Sequence, residues 1–380
     1  MSSIPEDLLA IILSKLSIKI FTTFKLVCKQ WESILESPYF RDVFRSTHQN
    51  SHTPPSWSLM SWDYGKELVA YNGLNTWGLE RSLGSYISSF LTKKFGSKRN
   101  DYRVWSYAEV GLILTSGVLN QTLYVANPIT HECVQLPSHA SKYFSWPMGI
   151  ATRIDDKGVF LDYKVVLYYN KDNLLIYSSQ TGLWSYYNIV YSYISSLFVK
   201  LTFVLHESLH LVARDSEGKG VIVSFNLYAT STDTIQGRTT RFPDSGKNTR
   251  FDRSCSTCQG SLVYMNVVPV TKVDGTLEDK LCVWRLKSWE WQLVSEIAWD
   301  FIDTYRSHYF YLGINPFDAN IVYFESNMQQ SLLSVNLHKG EFVLQSKLEH
   351  SDQPTQFENL LRSVVFPQWL HRIPNTVRIV

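Results

Sequence analysis

The first forty or so residues repeat their apolar positions with a helical period that the rest of the chain lacks. Apolar residues recur at intervals of three and four from Leu8 to Leu16, and Pro5 stands where a helix favours proline. A second apolar stripe runs from Phe21 to Leu35, and Pro38 ends it. The pattern predicts a small module of two amphipathic helices.

The composition changes after this module. Residues 45–57 are rich in Ser, His, Asn and Pro, which is typical of a linker. Beyond them, short apolar runs alternate with turn residues, which predicts an all-β region. We therefore divide the chain into a helical module (1–44), a linker (45–57) and a β domain (58–380). The predicted strands include Val110–Ser116, Thr122–Ala126, Val159–Tyr169, Val221–Asn226, Leu262–Val268, Leu281–Leu286 and Ile321–Phe324.

The β domain contains a faint internal repeat of a strand, a polar turn and a second strand. Equivalent turn positions lie 51, 48, 59 and 51 residues apart, close to the period of about 50 residues that is typical of kelch propeller blades. These positions are Asn127, Ser178, Asn226, Arg285 and Asn336. Six residues further on stand Cys133, Trp184, Trp291 and Phe342, which we expect to pack between blades, whereas Thr232 breaks the pattern. The repeat predicts a propeller, and chance recurrence of hairpins is the alternative.

The N-terminal module resembles an F-box. The match runs from Ile4-Pro5 and the leucine-rich stripe to the string Val27-Cys28-Lys29-Gln30-Trp31 and the closing Ser37-Pro38-Tyr39-Phe40, and only Ile4 departs, conservatively, from the family's leucine. The resemblance implies that the module binds a Skp-type adaptor and, through it, a cullin. The residues implied for adaptor binding are Ile4, Pro5, Leu8, Leu9, Ile12, Leu13, Leu16, Phe24, Val27, Cys28 and Trp31, with Leu9, Leu16, Val27 and Trp31 as expected anchors.

The β domain resembles, more diffusely, the kelch-like associated region of plant F-box proteins. The resemblance rests on Asn127-Pro128-Ile129-Thr130, on Leu136-Pro137 and on Leu209-His210 before a charged turn, although the Gly-Gly doublet of true kelch blades does not occur. Together the two resemblances imply a small all-α F-box module followed by an all-β, kelch-type propeller. They also imply a non-catalytic substrate-receptor subunit of a Skp–cullin–F-box ubiquitin ligase, whose β domain binds an unknown target protein.

Charge and cysteine content narrow the possible partners and compartments. Lys+Arg 36 against Asp+Glu 34 leaves a net charge of +2, so we expect neither nucleic acid nor a membrane surface as a partner. The five cysteines are sparse and odd in number, which favours a reducing intracellular compartment, nucleus or cytoplasm. No apolar stretch reaches the roughly 18 residues of a spanning helix, so we expect a soluble protein.

Two short motifs suggest chemistry of another kind. The string from His206 to His210 has the H-E-x-x-H spacing of zinc hydrolases, but its flanks predict a strand, on which residues four apart lie about 13 Å apart. Cys255 and Cys258 form a lone C-x-x-C, which we interpret as free thiols in a loop. We therefore expect no catalytic residue, no metal and no cofactor.

Two other functions remain open from the sequence. One is a propeller-type sugar-binding protein or enzyme in which the helical module is incidental. The other is an F-box scaffold that binds its adaptor but acts outside ubiquitination. No residue of the β domain can be assigned to target contact from the sequence.

Overall fold

The structure is a computed structural model that describes most of the chain. It covers residues 4–49, 54–61, 67–96, 101–117, 122–139, 146–191, 194–229, 233–245, 255–298, 309–326, 331–347, 361–367 and 369–374. The described part begins with the helices α1 (Glu6–Ser14), α2 (Ile18–Phe24), α3 (Lys29–Glu36) and α4 (Pro38–Gln49).

The second predicted helix is in fact two helices. The backbone N–H groups of Leu26 and Val27 donate to carbonyls three residues back, and Cys28 is extended at φ −161°, so α2 and α3 are separate. The apolar stripe continues across this break because both helices pack on one core, and that is why the sequence indicated a single helix.

Helix α4 begins where the predicted stripe stops. The Ser37 hydroxyl accepts a hydrogen bond from the Phe40 N–H at 3.1 Å, and Pro38 occupies the first helical position. The helix continues to Gln49, so residues 45–49 of the predicted linker are helical. At the other end of that segment, the Pro54 carbonyl accepts from the Leu74 N–H at 2.9 Å, which ties the chain to the β domain before β1.

The β domain opens with β1 (Trp57–Ser61), β2 (Glu67–Tyr71) and the helix α5 (Leu83–Phe95), and five four-stranded antiparallel blades follow among the described residues. Blade one has β3 (Tyr102–Tyr107), β4 (Ile113–Gly117), β5 (Leu123–Asn127) and β6 (Glu132–Gln135). Blade two has β7 (Trp146–Ile154), β8 (Phe160–Asn170), β9 (Asn173–Ser178) and β10 (Leu183–Val190). Blade three has β11 (Ile194–Leu205), β12 (Ser208–Asp215), β13 (Gly220–Asn226) and β14 (Thr234–Arg241). Blade four has β15 (Cys255–Cys258), β16 (Ser261–Thr271), β17 (Leu277–Lys287) and β18 (Glu290–Ala298). Blade five has β19 (Tyr309–Ile314), β20 (Ile321–Ser326), β21 (Ser331–Asn336) and β22 (Glu341–Lys347).

A sixth sheet closes the ring. Strand β23 (Leu361–Val365) pairs with β1, Trp57 opposite Val365, so the two ends of the β domain share the order β2-β1-β23. The first strand of each blade contacts the first strand of the next, from β3 through β7, β11, β15 and β19 to β23. The predicted propeller architecture is confirmed. One addition to the usual arrangement is a short parallel pairing of β10 with β14, which joins the outer edges of blades two and three.

The repeat found in the sequence corresponds to the third and fourth strands of the blades. Its five turn positions lie at or within two residues of the ends of β5, β9, β13, β17 and β21. Six residues later, Cys133, Trp184 and Trp291 each pack on an apolar core, and the Trp291 ring stacks on Phe242 of blade three at 5.6 Å. Thr232 and the side chain of Phe342 lie outside the described residues.

Helix α5 is an element that the sequence reading missed. The Ser82 hydroxyl caps it by accepting from the Ser85 N–H at 3.2 Å, and the Glu67 carboxylate accepts from the Gly84 N–H. Its apolar side packs in the same core as helices α1 to α4 and strand β23. The helical module therefore shares a core with the β domain.

The chain after β23 fastens the helical module to the propeller. The Trp369 ring lies 5.3–6.1 Å from three phenylalanine rings of α2 and α4, and the Arg41 guanidinium lies 5.5 Å from its centre. Two residues later, the His371 carbonyl accepts from the Asn127 side chain of blade one at 2.8 Å. The three phenylalanines are Phe21, Phe40 and Phe44, all buried.

Candidate functional site

Helix α1 has apolar side chains on two faces. The inner face, with Leu9 and Leu13, is buried against α3 and α4. The outer face is exposed: Leu8 is 52% exposed, whereas the adjacent Leu9 is 8% exposed. Ile4 and Ile12 lie one turn before and one turn after Leu8, so the exposed residues form a stripe. The stripe is unpaired within the described part of the chain.

The connection between α2 and α3 adds to this stripe. Leu26 is 89% exposed and Val27 is 61% exposed, and Cys28 beside them is exposed as well. The Gln30 side chain donates to the Glu6 carboxylate at 3.4 Å, which places the start of α3 beside the start of α1. We call the combined surface the apolar face; it consists of Ile4, Leu8, Ile11, Ile12, Leu26, Val27 and Cys28.

The structure separates the predicted adaptor-binding residues into two groups. Ile4, Pro5, Leu8, Ile12, Val27 and Cys28 are exposed, and all but Pro5 belong to the apolar face. Leu9 and Leu13 are buried, and Leu16, Phe24 and Trp31 are partly buried against the same core. The Phe24 and Trp31 rings meet edge to face at 5.2 Å. Of the four expected anchors only Val27 is exposed, and the other three support the face from beneath.

Sequence reasoning missed two members of the apolar face, Ile11 and Leu26. Both lie next to residues that the family signature includes, and both are apolar. Ile11 follows Leu8 at a spacing of three, so the helical period alone would have placed it on the outer stripe. Leu26 is exposed only because the chain leaves helical geometry at residues 25–28, and no periodic pattern predicts that break.

The H-E-x-x-H string begins in a turn, which was not predicted, and ends on a strand, which was. His206 lies in the turn between β11 and β12 at φ 52°, and His210 lies on β12. The His206 Nδ1 lies 2.9 Å from a Glu109 carboxylate oxygen, and this hydrogen bond raises the pKa of His206. His210 Nδ1 is 2.7 Å from the Ser224 hydroxyl, and burial lowers the pKa of His210 to about 4. Each imidazole thus has its own partner, and the described residues contain no cluster with the spacing of metal ligands.

The C-x-x-C pair is not in a loop, and that expectation was wrong. Cys255 and Cys258 are the first and last residues of β15, an inner strand, and both side chains are buried. Burial raises the pKa of Cys255 and raises the pKa of Cys258 to about 11. Thiols that stay protonated are poor nucleophiles and poor metal ligands. The pair therefore packs between blades instead of reacting.

No helix in the described ranges is both long enough and apolar enough to cross a membrane.

Comparisons with known proteins agree with the two-part architecture. An F-box domain family matches residues 1–42, and a family described as F-box protein At3g26010-like, beta-propeller matches residues 55–360. The F-box protein At3g28330 of Arabidopsis thaliana is 48% identical over 397 residues, covering 100% of this chain and 98% of its own. The putative F-box protein At3g28280 of the same plant is 58% identical over 287 residues, covering 73% of this chain and 91% of its own. The putative F-box/kelch-repeat protein At1g15680, also of Arabidopsis thaliana, is 32% identical, covering 90% of this chain and 84% of its own. A chain of the solved nidogen/laminin complex is similar at a TM-score of 0.38 and 8% identity, covering 83% of this chain and 100% of its own. The resemblance inferred from the sequence is confirmed, and the chain belongs to the F-box proteins with an At3g26010-like β-propeller.

Proposed function

We propose that this protein is the substrate receptor of a Skp–cullin–F-box ubiquitin ligase, and that its apolar face binds the Skp-type adaptor. The observation that carries the proposal is that the F-box core is complete without the apolar face. Leu9, Leu13 and the three phenylalanines already fill that core. Leu8, Leu26 and Val27 are each more than half exposed and keep apolar surface in water.

Binding at this face would remove that surface from water. Full burial of one Leu or Val side chain is worth about 1.5–3 kcal/mol. Burial of the exposed parts of these three side chains, together with Ile4, Ile11 and Ile12, would offset part of the cost of association. The buried residues Leu9 and Leu13 would fix the position of α1 without contacting the adaptor themselves. The prediction that they contact the adaptor directly is therefore replaced in this proposal by a supporting role.

The F-box lies toward one end of the propeller. In an antiparallel blade, the turns between strands one and two and between strands three and four lie at the same end. Arg45 of α4 packs over Gly158 in the β7–β8 turn, and His371 packs against Phe160 at the start of β8, with ring centres 5.9 Å apart. Both contacts are at the end that carries the first–second and third–fourth turns. We call this end the F-box face and the opposite end the distal face.

We propose that the target protein binds at the distal face. The described turns there include residues 171–172, 216–219 and 272–276, which join the second and third strands of blades two, three and four. They carry charges of both signs: Lys171 lies beside Asp172, and Lys272 forms an ion pair at 3.1 Å with Glu278 at the start of β17. A target held there would lie on the far side of the propeller from the F-box. Across the turns that the structure describes, it would meet a mixed-charge surface and no strongly acidic or basic patch.

A binding titration of the full-length chain with a Skp-type adaptor tests the first part of the proposal. Val27→Asp should weaken adaptor binding by at least tenfold, because it introduces a charge into the centre of the apolar face. Val343→Asp is a matched control, since Val343 on blade five is 50% exposed and lies outside the F-box. Circular dichroism of both variants checks folding. If Val27→Asp binds the adaptor as tightly as Val343→Asp does, the apolar face is not the adaptor site.

A second experiment separates ubiquitination from a scaffold role. Proteins that co-purify with the full-length chain are compared with and without proteasome inhibition. If the chain is a substrate receptor, some of the proteins bound to it should accumulate under proteasome inhibition. The Val27→Asp variant should still bind these proteins but should no longer link them to cullin. A scaffold predicts bound proteins whose abundance does not change.

A further inference from the structure

The inner strands of the propeller enclose a cavity of about 50 Å³ on the central axis. Strands β3, β7, β11, β15 and β23 contribute its walls. The lining is made of aromatic, aliphatic and hydroxyl side chains together with one charged group, Arg362 of β23. No carboxylate is among the residues that line it. The cavity is therefore a space of mixed polar and apolar lining, with a single cation and no anion among its described walls.

Arg362 lacks an ionic partner within the described part of the chain. Its guanidinium donates to the Thr202 carbonyl and lies 4.0 Å from the centre of the Phe203 ring. The ionisable groups closest to it are the Cys255 thiol and the Tyr311 and Tyr107 phenols, which are neutral near pH 7. Burial lowers the pKa of Arg362 only to about 10, so the group keeps its charge. Arg362 is half-buried, and a cation that is partly withdrawn from water without a counter-charge is unfavourable.

Hydroxyl groups near Arg362 supply further donors. The Ser256 and Tyr311 hydroxyls lie 2.8 Å apart, so one donates to the other and the second O–H proton remains for another acceptor. Ser256 lines the cavity, as do Ser106, Thr257 and Ser363. A guanidinium and several hydroxyl groups lining one cavity are the chemistry that recognises an anion. It offers nothing to a metal cation.

We propose that the axial cavity binds one small monovalent anion of the halide or carboxylate class, such as chloride or formate, with Arg362 as its counter-charge. The volume sets the size limit: one water needs about 10–15 Å³ on this measure, so a small anion fits together with a water, whereas a sugar phosphate or nucleotide does not. Because Arg362 belongs to the strand that closes the ring, the bound anion would link β23 to the inner strands of blades one, three and four. Anion binding should therefore stabilise the closed propeller.

Bromide is the probe for this site, because it scatters anomalously and substitutes for chloride. The full-length chain is purified without chloride, and its thermal unfolding is followed in sodium bromide and in sodium gluconate at equal ionic strength. Gluconate is a monovalent carboxylate that is too large for the cavity. We expect bromide to raise the melting temperature in a saturable way and gluconate not to do so, since only an anion bound to the native state stabilises it. A bromide-soaked crystal should show one anomalous peak beside Arg362.

Two variants complete the test. Arg362→Met should raise at least tenfold the bromide concentration that gives half of the maximal increase in melting temperature. Arg238→Met should leave the effect unchanged, because Arg238 is an exposed arginine that also lies over an aromatic ring, Trp289, at 4.7 Å. Equal melting curves of the wild-type chain in bromide and gluconate would overturn the proposal, as would a cavity without anomalous density. The wild-type comparison decides the matter even if Arg362→Met fails to fold.

Discussion

Replacing Trp369 by alanine should weaken the coupling between the F-box and the propeller. The Trp369 ring contacts Phe21, Phe40 and Phe44 and is partly buried between the two modules. Removal of a core tryptophan costs about 3–5 kcal/mol, including the loss of aromatic pairs. Because Trp369 is partly exposed, we expect the lower end, about 3 kcal/mol, which is roughly a hundredfold in an equilibrium constant.

Urea unfolding followed by circular dichroism, together with limited proteolysis, measures this effect in the full-length chain. The wild-type chain should unfold with the two modules coupled. Trp369→Ala should lower the first unfolding midpoint and make the chain between the modules susceptible to protease. Tyr39→Ala is the control, since Tyr39 is an exposed aromatic residue on α4, the helix that also carries Phe40 and Phe44. If both variants unfold at the same midpoint with the same protease pattern, Trp369 does not couple the modules.

Three further changes have expected outcomes. Burial lowers the pKa values of His210 and His371 to about 4, below the unfolded value of about 6.5. The melting temperature should therefore fall as the pH decreases from 6.5 to 4. His210→Gln should make this fall less steep. Glu109 raises the pKa of His206, so this pair stabilises the fold below pH 6.5 and the effect is lost as the pH rises through the folded pKa; the melting temperatures of wild type and Glu109→Gln should converge at high pH, and a constant difference would contradict the pairing. Ser288 and Trp289 form a two-residue hairpin turn with φ values of 49° and 70°, a conformation that Asn-Gly prefers. The double variant Ser288→Asn, Trp289→Gly should therefore raise the unfolding free energy by about 1 kcal/mol. An unchanged urea unfolding curve would refute this expectation.

The sequence predicted the second and third strands of the blades best. The predicted strands correspond to β4, β5, β8, β13, β16, β17 and β20, which are all second or third strands. These are the central strands of their blades, and a neighbouring blade packs on each face of the sheet. Both faces are therefore buried, and the strands read as continuous apolar runs. In β13, for example, every residue except the last is buried. The fourth strands were indicated only as the second strands of the repeat. They are mostly exposed on β10 and β18, so polar residues interrupt their apolar positions.

The apolar face could be predicted only in part, because the sequence does not distinguish two uses of an apolar residue. Leu8 and Leu9 are adjacent and identical, yet one is exposed and the other is buried. The helical period assigns them to different sides of α1 but does not say which side faces the core. That choice depends on α4, which the sequence did not indicate as a helix, and on Trp369, which lies more than three hundred residues away in the chain.

Closure of the propeller and attachment of the F-box depend on one short segment. Strand β23 completes the ring by pairing with β1, and the residues directly after it hold both Trp369 and the His371 carbonyl that Asn127 binds. The Trp77 indole also donates to the Pro367 carbonyl at 2.7 Å, which ties the same segment to the chain after β2. A chain in which β23 fails to pair therefore loses the cover of Phe21, Phe40 and Phe44 as well. The F-box then exposes its own core together with the apolar face, so a receptor whose propeller has not closed is also one whose adaptor-binding module is not fixed in place.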